Sequence, residues 1–114
     1  VDAPGLVVVA EAFDPAEADS AVLARSPGWR ADAEAVLRHH LRIPSEQLER
    51  ASELLAQDGW LLRRDAERPG HQHALRVQVL DALHCAQERS RMAGLAQRLG
   101  GDSLGWDALQ PHTE

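Results

Sequence analysis

Residues 82–109, ALHCAQERSRMAGLAQRLGGDSLGWDAL, constrain this chain more than any other stretch. The first part is Ala-rich and free of β-branched residues, which favours a helix. At 100° per residue, Ala82, Cys85, Ala86, Met92, Ala93, Ala96 and Leu99 share the side that must meet a core. Gly100-Gly101 then stops the helix, because glycine adopts the left-handed conformation past the last turn without a Cβ clash. The segment after it, SLGWDAL, reads as a strand folding back. A helix that stops sharply and returns as a strand needs a sheet to return to.

That sheet is written upstream. Residues 36–43 alternate, with Leu37, His39, Leu41 and Ile43 on one side and Arg38, His40 and Arg42 on the other. Pro44-Ser45 ends this strand and opens a helix, with Ser45 as N-cap and Glu46 near the positive dipole end. Leu48, Ala51, Leu54 and Leu55 form its apolar stripe. Asp58-Gly59 turns the chain into a strand over 60–64, with Trp60 and Leu62 on one side. The polar stretch 65–72 is a hairpin loop, and 73–81 alternates again, Leu75, Val77 and Val79 inward and Arg76 and Gln78 outward. The order strand, helix, strand, strand, helix, strand is that of the α+β ferredoxin-like split βαβ fold (βαββαβ). It predicts a four-stranded antiparallel sheet with two helices on one face.

Residues 31–114 make up this domain and residues 1–30 an N-terminal extension. In the extension, 6–9 reads as a strand. Asp14-Pro15 starts a short helix over 16–25, which ends at Ser26-Pro27-Gly28. At 114 residues the chain can build one core. No apolar run reaches the length of a membrane span, and the first ten residues lack the basic start of a signal peptide. The single cysteine, Cys85, fits a reducing compartment. The expectation is a cytoplasmic protein without a membrane. Its net charge of −6 argues against direct nucleic-acid binding.

From about residue 36 to 106 the chain resembles the RraB-like family, regulators of ribonuclease E activity. The resemblance rests on a strand ending in Pro before an Ala/Leu/Glu-rich helix, HHLRIPSEQLERASELLAQDGW, then a hairpin. It closes on a helix followed by Gly100-Gly101 and, a few residues on, Gly105-Trp106. It implies a ferredoxin-like fold and a non-catalytic role: the best-described relatives bind a ribonuclease and inhibit it through its non-catalytic region. No catalytic residue and no cofactor come with it.

The residues themselves leave alternatives open. Trp106 either closes the core or anchors a protein partner. Arg38, Arg42 and Arg76, with His40 and Gln78, would share the polar sheet face opposite the helices. There they dock a partner, or form a solvated surface. RNA-binding sheets of this topology carry stacking aromatics on their central strands, and none is expected on this face. Arg89 falls in the middle of the apolar side of the last helix. It must pair with Asp81, Asp107 or a ligand anion, or else reach out along the helix edge. His39, His71, His73 and His84 suggest an alternative class, a metal- or small-molecule-binding domain or an enzyme. No metal-ligand spacing joins them, so no metal site is assigned. Cys85 points to the core and His84 diverges from it by 100°, which disfavours a nucleophile pair. The leading reading is a non-catalytic interaction domain, monomeric or homodimeric, whose partner is another protein; the RraB-like resemblance implies that this partner is a ribonuclease.

Overall fold

The computed structural model describes residues 4–111; the first three residues of the expected extension and the last three of the domain lie outside these. The element order is β1 (Leu6–Ala12), α1 (Asp19–Ala24), β2 (Glu34–Arg42), a 3-10 turn (Ser45–Gln47), α2 (Leu48–Ala56), β3 (Leu61–Arg64), β4 (Gln72–Val79), α3 (Ala82–Arg98) and β5 (Asp102–Pro111). The five strands form one antiparallel sheet in the order β1-β5-β2-β4-β3. Val22 and Leu23 of α1, Ala51 and Leu55 of α2, and Cys85, Met92, Leu95 and Ala96 of α3 pack into a single core. Their partners on the sheet are Leu37, Leu41, Ala74, Trp106 and Ala108. The helices therefore cover one face only.

The sheet has five strands, one more than the sequence pattern predicts. β5 runs for ten residues, and its outer edge would otherwise present a row of unpaired amides and carbonyls. β1 pairs along that edge from Leu6↔Pro111 to Ala12↔Trp106. Its close approach depends on Gly105, where φ is +127° and a Cβ would sit 2.2 Å from the Ala12 carbonyl oxygen. The N-terminal segment is further held by Gln110, whose buried side chain accepts from the Arg30 amide at 2.9 Å and donates to the Arg30 and Ala33 carbonyls at 2.9 and 3.2 Å.

Helix boundaries move for local reasons. Asp14 does not cap α1; it closes a short turn by accepting from the Ala16 amide at 2.9 Å, and the helix begins at Asp19. Ser45 makes no capping bond either, because the chain enters α2 through the 3-10 turn. At α3, Asp81 caps by accepting from the His84 amide at 2.8 Å. Gly100, at φ +81°, ends the helix as expected, with the Gly101 amide donating to the Ala96 carbonyl at 2.8 Å. The buried side of α3 is Cys85, Met92, Leu95, Ala96 and Leu99, while Ala86 and Ala93 face solvent.

β2 and β4 are neighbours in register, but β4 presents the opposite faces to those expected. Leu37, which points into the core, pairs with Arg76, and Arg38 pairs with Leu75. Arg76 and Gln78 thus lie on the helix side, and Val77 and Val79 are exposed on the other. Alternation says which residues share a face; it does not say which face is covered. The inward Arg76 is compensated completely. Its guanidinium lies 4.1 Å over the Trp60 ring, pairs with Glu88 of α3 at 2.6 Å and donates to the Asp58 carbonyl at 2.9 Å.

Candidate functional site

Because the helices occupy one face, the residues of the open face are the ones a partner or ligand can reach. They stand in rows across the strands. Glu11, Asp107, Arg38, Leu75 and Leu61 make one row, and Gly105, His40 and His73 with Arg63 make the next. Asp107 is the centre of the polar part. Arg38 clamps it with two hydrogen bonds, Nε at 2.8 Å and Nη2 at 2.6 Å. His40 Nε2 lies 3.1 Å from its Oδ1, a close approach without good hydrogen-bond alignment. Burial alone would raise the Asp107 pKa, but Arg38 and His40 outweigh it and hold the carboxyl below its usual range.

His40 and His73 face each other from the two strands, their ring centroids 4.5 Å apart and their planes crossed at 70°. Phe13 meets the other side of His40 edge-on at 4.9 Å. His73 Nε2 approaches Asp65 Oδ2 at 3.3 Å. Desolvation first, then the neighbouring His40 and Arg38, push the His73 pKa down. These side chains line an open cavity of about 650 Å³ on the surface of the sheet. Its lining carries two crossed imidazoles, the guanidinium groups of Arg38 and Arg68, and the carboxylates of Glu11, Asp65, Glu67 and Asp107. Among the described residues no group of three or more His, Cys, Asp or Glu is arranged to hold a metal ion.

The predicted site residues separate. Arg38 and Arg42 do share the open face, where Arg42 pairs with Asp102 at the exposed end of the strand. Arg76 is corrected to the covered face for the register reason given above. Trp106 is also corrected: it is wholly buried, and its indole donates to Asp19 Oδ1 at 3.1 Å, so it closes the core. Arg89 finds its carboxylate in Asp19 of α1, at 2.9 Å, and donates to the Asp14 carbonyl at 3.0 Å. Asp81 and Asp107 are not its partners. The open face of the central strands carries no Phe, Tyr or Trp; its rings are those of His40, on the face expected for it, and His73. Their rings are mostly buried and crossed, which leaves edges instead of flat stacking surfaces.

The other histidines do not converge. His39 is fully buried against Trp60, neither ring nitrogen has a hydrogen-bond partner, and burial pushes its pKa down to about 3. His84 is exposed and pairs with Asp81. Cys85 is buried, and desolvation lifts its thiol to about 12, which leaves it protonated and packing-like. Sequence reasoning missed Asp107, Asp65, Phe13 and the pairing of His40 with His73. For the histidines the signal was present, since the first and third strands of the expected sheet are central neighbours, and their pairing sets residues near 40 and 73 side by side. Asp107 gave none.

No family, no curated protein and no solved structure matches this chain. No helix among the described residues is long and apolar enough to cross a membrane.

Proposed function

We propose that this chain is a small non-catalytic interaction domain that binds a protein partner through the polar end of its open sheet face. The observation that carries this reading is the Arg38–Asp107–His40 cluster with Arg42 on a face that no helix covers. Fixed guanidinium groups beside apolar side chains are what a selective protein contact requires. The RraB-like resemblance supplies the partner class, a ribonuclease of the E type, inhibited outside its catalytic centre. The order β5-β2-β4-β3, all antiparallel with α2 and α3 on one side, supports the ferredoxin-like assignment for the part from Glu34 onward, with β1 as an added edge strand.

The test is direct. Purified chain is added to such a ribonuclease cleaving a defined RNA, and binding and cleavage rate are followed together. The expected outcome is association and slower cleavage, both lost on Arg42→Glu, whose exposed side chain leaves the core untouched. Absence of both with the native chain removes the reading. A second reading, a small-ligand or metal site, rests on His40 and His73 lying within one cavity. Titration with zinc by calorimetry, against a His40→Gln/His73→Gln variant, decides it.

A further inference from the structure

The cavity on the open face carries more negative charge than its own arginines answer. Four carboxylates line it, those of Glu11, Asp65, Glu67 and Asp107, against the two guanidinium groups of Arg38 and Arg68. Asp65, like Asp107, is held below the usual carboxylate range, here first by the Glu67 amide that donates to it at 3.0 Å. Both therefore stay ionised at neutral pH.

The sharpest imbalance lies in one cross-strand row. Glu11, Asp107 and Arg38 are register partners across β1, β5 and β2, so two like charges stand directly opposed beside a single guanidinium. Arg38 turns both Nε and Nη2 to Asp107, at 2.8 and 2.6 Å. Arg25, which reaches the Glu11 carbonyl, has its charge clamped by Glu17 at 2.8 and 2.9 Å. Among the described residues neither Glu11 nor Glu67 forms an ion pair, and both are exposed. His40, only 8% exposed, is set in the same lining with its Nε2 lacking a hydrogen-bond partner. The cavity is short of positive charge and of donors.

Its shape and its apolar parts narrow the occupant. Three strand spacings, roughly 14 Å, separate β1 from β4. Glu11 and Phe13 stand on one side, and Asp65 and Glu67 of the β3–β4 hairpin on the other. Val8 and Phe13, each 42% exposed, offer apolar surface beside the carboxylates. An arginine matches all of this. Its stem packs on Val8 and Phe13, and its planar guanidinium brings several donors to the carboxylates and the aromatic ring. A phosphate or nucleic-acid backbone meets like charge there.

We infer that the cavity receives arginine side chains from a basic segment of the protein partner, with Glu11 and Glu67 as the anchoring carboxylates. This rests on the reading of the open face as a protein contact and adds the chemistry that the contact recognises.

A short capped peptide of alternating Arg and Ser, fluorescently labelled and titrated with the chain at physiological ionic strength, tests it by anisotropy. The native chain should bind this peptide and not one with Glu in place of Arg. Glu11→Gln/Glu67→Gln should weaken the affinity about fivefold or more. Glu49→Gln/Glu53→Gln, on α2 behind the sheet, removes the same charge and should change it less than about twofold. All four side chains are exposed, so both variants should keep the native far-UV circular dichroism spectrum. A native chain that does not bind the peptide overturns the inference, as do equal losses with the two double variants, which would show net charge alone at work. Ribonuclease binding that survives Glu11→Gln/Glu67→Gln overturns it too, and leaves the contact reading in place. Peptide binding in the expected pattern by a chain that ignores the ribonuclease supports it, and removes only the ribonuclease as partner.

Discussion

Two arginine–carboxylate pairs, one on each face of the same sheet, show how the surroundings decide what such a pair does. On the covered face, Asp19 of α1 receives Arg89 of α3 at 2.9 Å and the Trp106 indole of β5 at 3.1 Å. Three elements distant in sequence are tied at one buried carboxylate. On the open face, Arg38 and Asp107 belong to adjacent strands and are direct register partners. They tie together what the backbone ladder has already joined. The first pair is therefore a structural lock between layers, and the second is a preformed charge arrangement between adjacent strands, lining the open cavity.

The strongest way to break this contrast is Asp19→Ala. It strands a largely buried guanidinium and an indole donor at once, and should lower unfolding stability by about 3 kcal/mol. Urea denaturation followed by Trp fluorescence reads the loss directly. Gly105→Ala attacks the seam where β1 joins the sheet. A side chain at φ +127° would collide with the Ala12 carbonyl, and the expected loss is about 2 kcal/mol. Hydrogen exchange should show the added opening in β1 and not in β4.

Acid sharpens the comparison further. His39 lies in the covered layer and stays neutral there, with its pKa at about 3, whereas in the unfolded chain it takes up a proton near 6.5. The unfolded state binds the proton first, so stability falls as pH drops from about 6.5 toward 3, at about 1.4 kcal/mol per pH unit. The depressed His73 pKa on the open face adds to the same trend. Between pH 6.5 and 5, His39→Leu should remove about 2 kcal/mol of this acid loss. It should cost nothing at pH 7, because it deletes two buried nitrogens that have no partner. The smallest effect belongs to Arg42→Ala. Its pair with Asp102 is exposed on both sides, and stability should change by less than about 0.5 kcal/mol. An Arg42 variant that unfolded the chain would make the open face structural and erase the contrast.

Much of the fold could be read in the residues before any coordinates. The helix stop at Gly100, the strand from Leu37 to Leu41 and the adjacency of β2 and β4 all follow from local chemistry and period. What could not be read depended on events at long range. β4 alternates equally well with Val77 inward or Arg76 inward. The choice falls to Arg76 because Trp60, Glu88 and the Asp58 carbonyl happen to meet its guanidinium there. Arg89 was recognisable as needing a carboxylate, but Asp19 lies 70 residues away and nothing local names it. The site suffered most from this, since two of its four predicted contact residues, Trp106 and Arg76, belong to the covered layer.

By itself the sequence determined the elements and their order, since helix stops, turns and periods are set by neighbours a few residues apart. Only the tertiary structure decided which face of each strand is covered, which carboxylate meets which arginine, and that His40 and His73 share one cavity. Those outcomes depend on desolvation and charge compensation, which act between groups the chain brings together only when it folds.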